Sequence, residues 1–541
     1  MGGSQVGNPS VREALRGRLE AVESPNEEHR DATHPHLLPH HRPRPLDGVL
    51  RGARPREASC LTDPRGGDEL LLRRSRRAAA GARADLQLRR ARVRARDGLR
   101  AHCADGREHD GDPREPRGTG HRAGTPAVLD HRGWLAALLR PRPGQLPGRA
   151  DRAQLIDAEG RARGVTGANW IDAPYNRWAF RHISQVTRVQ RIAGSETPVG
   201  LARTERDLGG FSFTHGGEAH SLDSLLAATF TDALIVVQDG AVLTERYFDG
   251  MLEDDRHLLM SVSKSLTGIL CGVLVGQGLL APTDPVTDYL PELAGSTWDG
   301  CLVQHLLDMR VGIAWDYDVD EYRILDVSDY RTHELDDIPS DTETWIRTIG
   351  RGSYDHGEGP FRYASLVTDV LAWVLERAGG LPFAELFSHE VWSAIGSEND
   401  AELMFDASGF PLAEGGFCAT LRDCARFGLM CLEDGSVAGR QVVPADWLGR
   451  MLVPDAELVA AYAASAAGDP AAPDSMYHDG WWVHQPARGV YAASGMNGQL
   501  ILVHRPSRVV IVKLSTYPGS LDSELFDLDH VGLMALCDHL A

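Results

Sequence analysis

The stretch SVSKSLTGILCGVLVGQG, residues 261–278, decides how the rest of the chain is read. Val262, Leu266, Ile269, Leu270, Val273 and Leu274 recur at spacings of three and four, the stripe of an amphipathic helix facing a core. Ser261, Lys264, Ser265, Gly268 and Gly272 fall on another, small-residue face. At 3.6 residues per turn, positions i and i+3 stack, so Lys264 reaches back over Ser261. Ser261 stands at the helix start, where free backbone N–H groups and the positive dipole end favour an oxyanion. A lysine in a partly apolar pocket has its ammonium form disfavoured and becomes a usable base. A serine three residues ahead of a lysine is common by chance. Here the chain has only two lysines, Lys264 and Lys513, and one falls on this helix face. The pair predicts a nucleophilic serine with a lysine base.

Strand signals lie on either side of this helix. ALIVVQ (233–238) and AVLTERYF (241–248) flank Asp239-Gly240, a dipeptide suited to a tight reversing turn. QLILVH (499–504) and VVIVKL (509–514) flank RPSR in the same way. Between the hairpins, SLVTDVLAWVLERAGG (365–380) and ATLRDCARFGLMCL (419–432) carry helical spacing. The order predicts an α/β fold: an antiparallel sheet flanked by helices and assembled from both ends, beside a mainly helical second lobe. The α/β lobe is expected over about 165–255 and 480–541, and the helical lobe over about 256–479.

Two further segments carry chemistry. Tyr363, in FRYASLVTDVLAWVLERAGG (361–380), follows the turn-forming GEGP and stands at a helix entry. There a tyrosine either passes protons in a cleft or simply packs. In AASGMNGQLILV (492–503), Gly495 and Gly498 open a strand and let a substrate lie against the backbone; an ordinary strand start is the plainer reading.

Taken together and in this order, the three segments resemble the serine β-lactamase, penicillin-binding-protein and family VIII carboxylesterase superfamily. The nearest likeness is to the 6-aminohexanoate-dimer (nylon-oligomer) hydrolases, and it runs over about residues 168–540. It is carried by APYNRWAF, DDRHLLMSVSKSL, PVTDYLPELAGS, LLDM, GGFCATLRDCARFG, GWW, SGMNGQ and VVIVKLS as well as the helices above. The resemblance implies that Ser261 attacks the acyl carbon while Lys264 and Tyr363 share the base and acid roles. Ser494, Gly495, Met496, Asn497 and Gly498 then form the oxyanion and substrate strand. The N–H groups of Ser261 and Met496 make the hole. Ala493 replaces the lysine with which β-lactamases hold a substrate carboxylate, and Ser365 stands where many of them place asparagine. Both departures favour esters or linear amides over β-lactams. The nylon-oligomer group has a further tyrosine on the loop that here reads GIAWDYDVDEYRILDVSDY (312–330). Val319 takes its place without a gap, which leaves Tyr317 and Tyr322 as the candidate substrate contacts. The rivals are a penicillin-recognising D-amino-acid peptidase or β-lactamase, and a non-catalytic ligand-binding relative. No cofactor or metal is implied, and a homodimer is left open.

Charge divides the chain. Residues 1–168 hold 32 of the 56 Lys+Arg and 22 of the 76 Asp+Glu, a balance of +10; residues 169–541 balance at −30. The first 164 residues, typified by RRSRRAAAGARADLQLRRARVRARDGLR (73–100), have no sustained period and few aromatics. They read as a basic low-complexity extension, largely disordered, or as DNA translated in a wrong frame or from a wrong start. Scarce aromatics and the lack of lysine there argue against a nucleic-acid arm. His34, His36, His40 and His41 form a tag-like cluster rather than a scaffolded metal site. The acidity beyond residue 168 reads as a solvated surface, with attraction of amine-bearing substrates as the alternative. Eight cysteines without CxxC spacing point to a reducing compartment, and no apolar run is long enough to span a membrane. The expected setting is cytoplasmic, and the expected partner is a small ester or amide.

Overall fold

Asp239 and Gly240 both take the left-handed conformation, at φ +48° and +78°, as a two-residue reversal between antiparallel strands requires. The computed structural model describes residues 155–331 and 338–541. The arginine-rich stretch and its histidine cluster, up to residue 154, lie outside the described residues.

The main sheet has eight strands: β1 (Ala202–Arg203), β2 (Thr231–Gln238), β3 (Ala241–Tyr247), β4 (Met476–His478), β5 (Trp481–Gln485), β6 (Val490–Gly495), β7 (Gln499–His504) and β8 (Val509–Ser515). Their order is β4-β5-β6-β7-β8-β2-β3-β1. All pairs are antiparallel except β1 with β3 at the edge. The two hairpins meet where β8 pairs with β2, Val512 opposite Ile235. Along β2, Ala233, Ile235 and Val237 enter one core while Leu234 and Val236 enter another. A sheet covered on both faces explains why this strand is an unbroken apolar run.

Five helices matter for the site: α1 (Val262–Gly276), α2 (Tyr317–Val327), α3 (Ser365–Gly379), α4 (Leu421–Leu432) and α5 (Ser523–Leu540). The predicted helices at 261–278, 365–380 and 419–432 thus form with their ends shifted by a few residues. α3 stops at Gly380, whose φ of +72° gives the left-handed cap that glycine adopts without strain. α4 starts at Thr420, whose hydroxyl accepts from the Asp423 N–H. α5 covers the far face of the sheet with Leu528, Leu533 and Leu536.

The layers interleave more finely than a division near 255 and 480 implies. α4 packs on β7, β8 and β2, and β4 extends the sheet from within the stretch expected to be helical. Residues 155–164, grouped with the extension at the sequence level, also fold. Ile156 is buried, and Gly160 lies so close under the Trp178 ring that a Cβ would sit 2.6 Å from it. A second sheet of Val189–Ile192, Ala401–Met404, Phe417–Ala419 and His257–Leu258 delivers the chain to Ser261. The six described cysteines are free and buried. Among the described residues, no helix is long and apolar enough to cross a membrane.

Candidate active site

The chain leaves the strand His257–Leu258 and turns sharply at Met260, which holds φ +48° although it is not glycine. Such a conformation in a buried residue persists only where its surroundings enforce it. The turn sets Ser261 at the N-cap of α1. One turn on, Lys264 is 2% exposed, and its Nζ donates to Ser261 Oγ at 2.8 Å and to the Glu414 carbonyl at 2.7 Å. Tyr363 enters from the start of α3. Lys264 Nζ lies 4.9 Å from its ring centroid, and the ring stacks on Trp482 at 5.7 Å. The three residues singled out from sequence are therefore brought together.

The end of β6 lies directly over the nucleophile's backbone. A Cβ on Gly495 would come within 2.9 Å of the Ser261 nitrogen and 2.7 Å of the Leu259 oxygen, so only glycine permits this approach. Ser494, Gly495 and Met496 line a cavity of about 560 Å³ together with Ser261, Tyr363, Tyr317 and Tyr322. Val319, at the position of the expected tyrosine, is half exposed and does not line it. Asn497 and Gly498 do not line it either. The Asn497 amide turns away to donate to the Tyr517 carbonyl at 2.8 Å, because a φ of +59° reverses the chain there.

Three carboxylates, the buried Glu414 and Asp369 and the part-buried Glu321, which the sequence reading missed, surround the lysine. Glu414 Oε2 stands 3.9 Å from Lys264 Nζ, and Glu321 accepts from the Ser365 N–H at 2.8 Å and its hydroxyl at 2.7 Å. Asp369 accepts from the Glu414 N–H at 3.1 Å. Burial pushes the Lys264 ammonium down from its ordinary range, while Glu414, Glu321 and Asp369 pull it back up. Burial in turn raises Glu414 to about 7 and, with Glu414 as its neighbour, lifts Asp369 well above the usual carboxylate range. Burial also drives the Tyr363 phenol far upward, so it stays protonated. The site thus holds a lysine whose ammonium form burial disfavours, beside a phenol that keeps its proton. Asp369 carried a signal, as a lone acid on the apolar face of a helix. Glu321 stands one turn from Tyr317 on α2, which placed it on the face of the suspected contact. Glu414, in AEGGF, had no pattern to mark it.

Asp308, His478 and Asp479 come as close together as metal ligands would. Their charges are already met, however. His478 Nδ1 binds Asp308 Oδ1 at 2.8 Å, and Arg450 and Gln304 both donate to Asp479 Oδ1. Two carboxylates facing two cations form a balanced cluster behind α1.

Comparison with known proteins identifies the lineage. Residues 222–535 match the family model described as Beta-lactamase. The chain belongs to the β-lactamase family. It is 35% identical over 385 residues to the 6-aminohexanoate-dimer hydrolase of Paenarthrobacter ureafaciens, which covers 70% of this chain and 91% of that one. The esterase EstB of Burkholderia gladioli is 30% identical over 195 residues, 31% of this chain and 48% of its own length. A solved Bacillus anthracis protein, proposed to be a 6-aminohexanoate-dimer hydrolase, superposes with a TM-score of 0.64 at 26% identity, covering 70% of this chain and 97% of that one. The family resemblance and the β-lactamase-like fold expected from the sequence both hold, and as a member of this family the chain is a hydrolase.

Proposed function

We propose that this β-lactamase-family enzyme cleaves small esters and linear amides through an acyl-enzyme on Ser261. The observation that carries the reading is the 2.8 Å contact between Ser261 Oγ and a Lys264 Nζ withdrawn from solvent, at the floor of a substrate-sized cavity. In its amine form Lys264 takes the serine proton as Oγ attacks the acyl carbon. The Ser261 and Met496 N–H groups receive the oxyanion, and Tyr363 hands a proton to the leaving alcohol or amine. Water then reverses the sequence and frees the acid.

The walls suggest the substrate. Tyr317, Tyr322, Phe361, Tyr363 and Trp482 offer aromatic faces, and the buried carboxylates leave the floor short of positive charge. That combination favours an amine-bearing chain, such as the 6-aminohexanoate dimer named for the Paenarthrobacter relative. Against a β-lactam stand two features: a buried Ala493 where a carboxylate-binding lysine would be, and a Ser365 hydroxyl already given to Glu321. The free, buried thiols accord with a reducing, cytoplasmic setting, which we propose as well.

Intact-mass analysis after a fluorophosphonate probe tests the nucleophile. The wild type should gain one adduct and Ser261→Ala none; labelling that persists in the variant would sink the assignment. Side-by-side turnover of p-nitrophenyl butyrate, the 6-aminohexanoate dimer and a chromogenic cephalosporin then ranks the substrate classes. A cephalosporin turned over fastest would overturn the preference.

A further inference from the structure

Lys264 has a counterpart. The chain's other lysine, Lys513 on β8, is also fully buried and also donates to a serine hydroxyl, Ser515 Oγ, at 2.5 Å. Its Nζ donates to Asp529 Oδ2 on α5 at 2.7 Å, and the same carboxylate oxygen accepts from the Tyr517 hydroxyl. The ammonium also lies 5.1 Å from the centroid of the Tyr517 ring. None of these residues lines the substrate cavity. A buried ion pair adds little net stability over apolar packing, so its presence asks for another account.

What the group holds is Tyr517, and what Tyr517 holds is the turn after β6. Gly498, at φ +85°, lies against the Tyr517 ring so closely that any side chain there would collide with it. The Tyr517 N–H donates to the Asn497 carbonyl at 3.2 Å, and the Asn497 amide returns a bond to the Tyr517 carbonyl at 2.8 Å. Gln499 ties the same turn to β8, donating to the Ser515 carbonyl at 2.6 Å and to the Met496 carbonyl at 3.3 Å. Asn497 sits at φ +59°, in the left-handed region where the chain reverses. On its other side the turn begins at Gly495, pressed against the Ser261 nitrogen.

We propose that Lys513, Asp529 and Tyr517 form a positioning triad for the oxyanion turn, fixing the direction in which the Met496 N–H points. The proposal rests on the reading of Met496 as an oxyanion donor. A donor displaced by a fraction of an ångström still admits the ground-state substrate but serves the transition state poorly. Loss of the triad should therefore lower kcat and leave KM alone.

Tyr517→Phe tests this most cleanly, because it keeps the ring under Gly498 and removes only the anchoring hydroxyl. On p-nitrophenyl butyrate its kcat should fall about 10- to 100-fold with KM within about 2-fold. The Ki of phenylboronic acid, which mimics the tetrahedral species, should rise in parallel, while inhibition by the product butyrate stays unchanged. The paired variant Lys513→Met with Asp529→Leu removes both charges together and should reproduce the pattern. A purely structural triad would lower the melting temperature and spare the boronate. Folded Tyr517→Phe enzyme with kcat and boronate affinity within about 2-fold of wild type would overturn the proposal. Wild-type enzyme showing no Ser261-dependent turnover and no boronate binding would instead bring down the oxyanion reading itself, and the triad with it.

Discussion

Replacing Glu414 with glutamine should move the acid limb of the kcat/KM profile to lower pH. The carboxylate stands 3.9 Å from Lys264 Nζ and favours the ammonium, the form that cannot accept the serine proton. Two unit charges at that separation interact by about 4 kcal/mol at an effective dielectric constant near 20, or about 3 pK units. Glu414 itself titrates at about 7, so near neutrality it carries its charge only part of the time. Glu321 and Asp369 also remain to hold some of the ammonium. Together these make the displacement smaller than that bare Coulomb figure and confine it to pH above about 7. The sign is fixed: with less negative charge nearby, the amine appears at lower pH, and activity at about pH 8, where wild-type Glu414 is ionised, should rise relative to wild type. The assay is kcat/KM for p-nitrophenyl butyrate from pH 5 to 9, with circular dichroism to verify folding. A limb that stays in place, or moves to higher pH, would refute the view that Glu414 governs the lysine's protonation.

Tyr363→Phe keeps the stacking on Trp482 but loses the proton donor, and kcat should drop about 10²- to 10⁴-fold in steady-state assays. Gly268→Ala puts a Cβ on α1 against the Asp479 carbonyl, and thermal denaturation should report a loss of about 1–3 kcal/mol. His478 is raised to about 9: burial lowers it, but Asp479 and Asp308 outweigh that. Its stabilisation is full below the unfolded value near 6.5 and fades as pH climbs through about 9. Urea unfolding should therefore show about 3 kcal/mol less stability at pH 9.5 than at 6.5 from this residue, a difference that His478→Gln removes.

The fold was legible because its signals are local. Asp239-Gly240 permits little but a tight reversal, and the spacing from Val262 to Leu274 writes the α1 stripe directly. Ser261 and Lys264 were legible for the same reason, since a single helical turn joins them. What stayed hidden depends on distant packing. Glu414 reaches Lys264 only because the chain from Phe417 pairs beside the strand leading into Ser261. The packing of α4 on the sheet was not legible either, because its apolar face suits a sheet as well as a helix layer. Likewise Asn497 and Gly498 sit in the right motif, yet a left-handed residue turns them out of the cavity.

The pairing of β8 with β2 has a temporal consequence. The nucleophile and its lysine precede the turn over Ser261 and the strands that fasten it by a long stretch of chain. During synthesis β2 and β3 emerge as an unfinished sheet edge and must wait for their partners. Contacts so distant in sequence form slowly, and an open apolar edge invites aggregation in the interval. Catalytic competence should thus arrive only once β7 and β8 have been made, and a chain stopped before Val509 should be both inert and sticky.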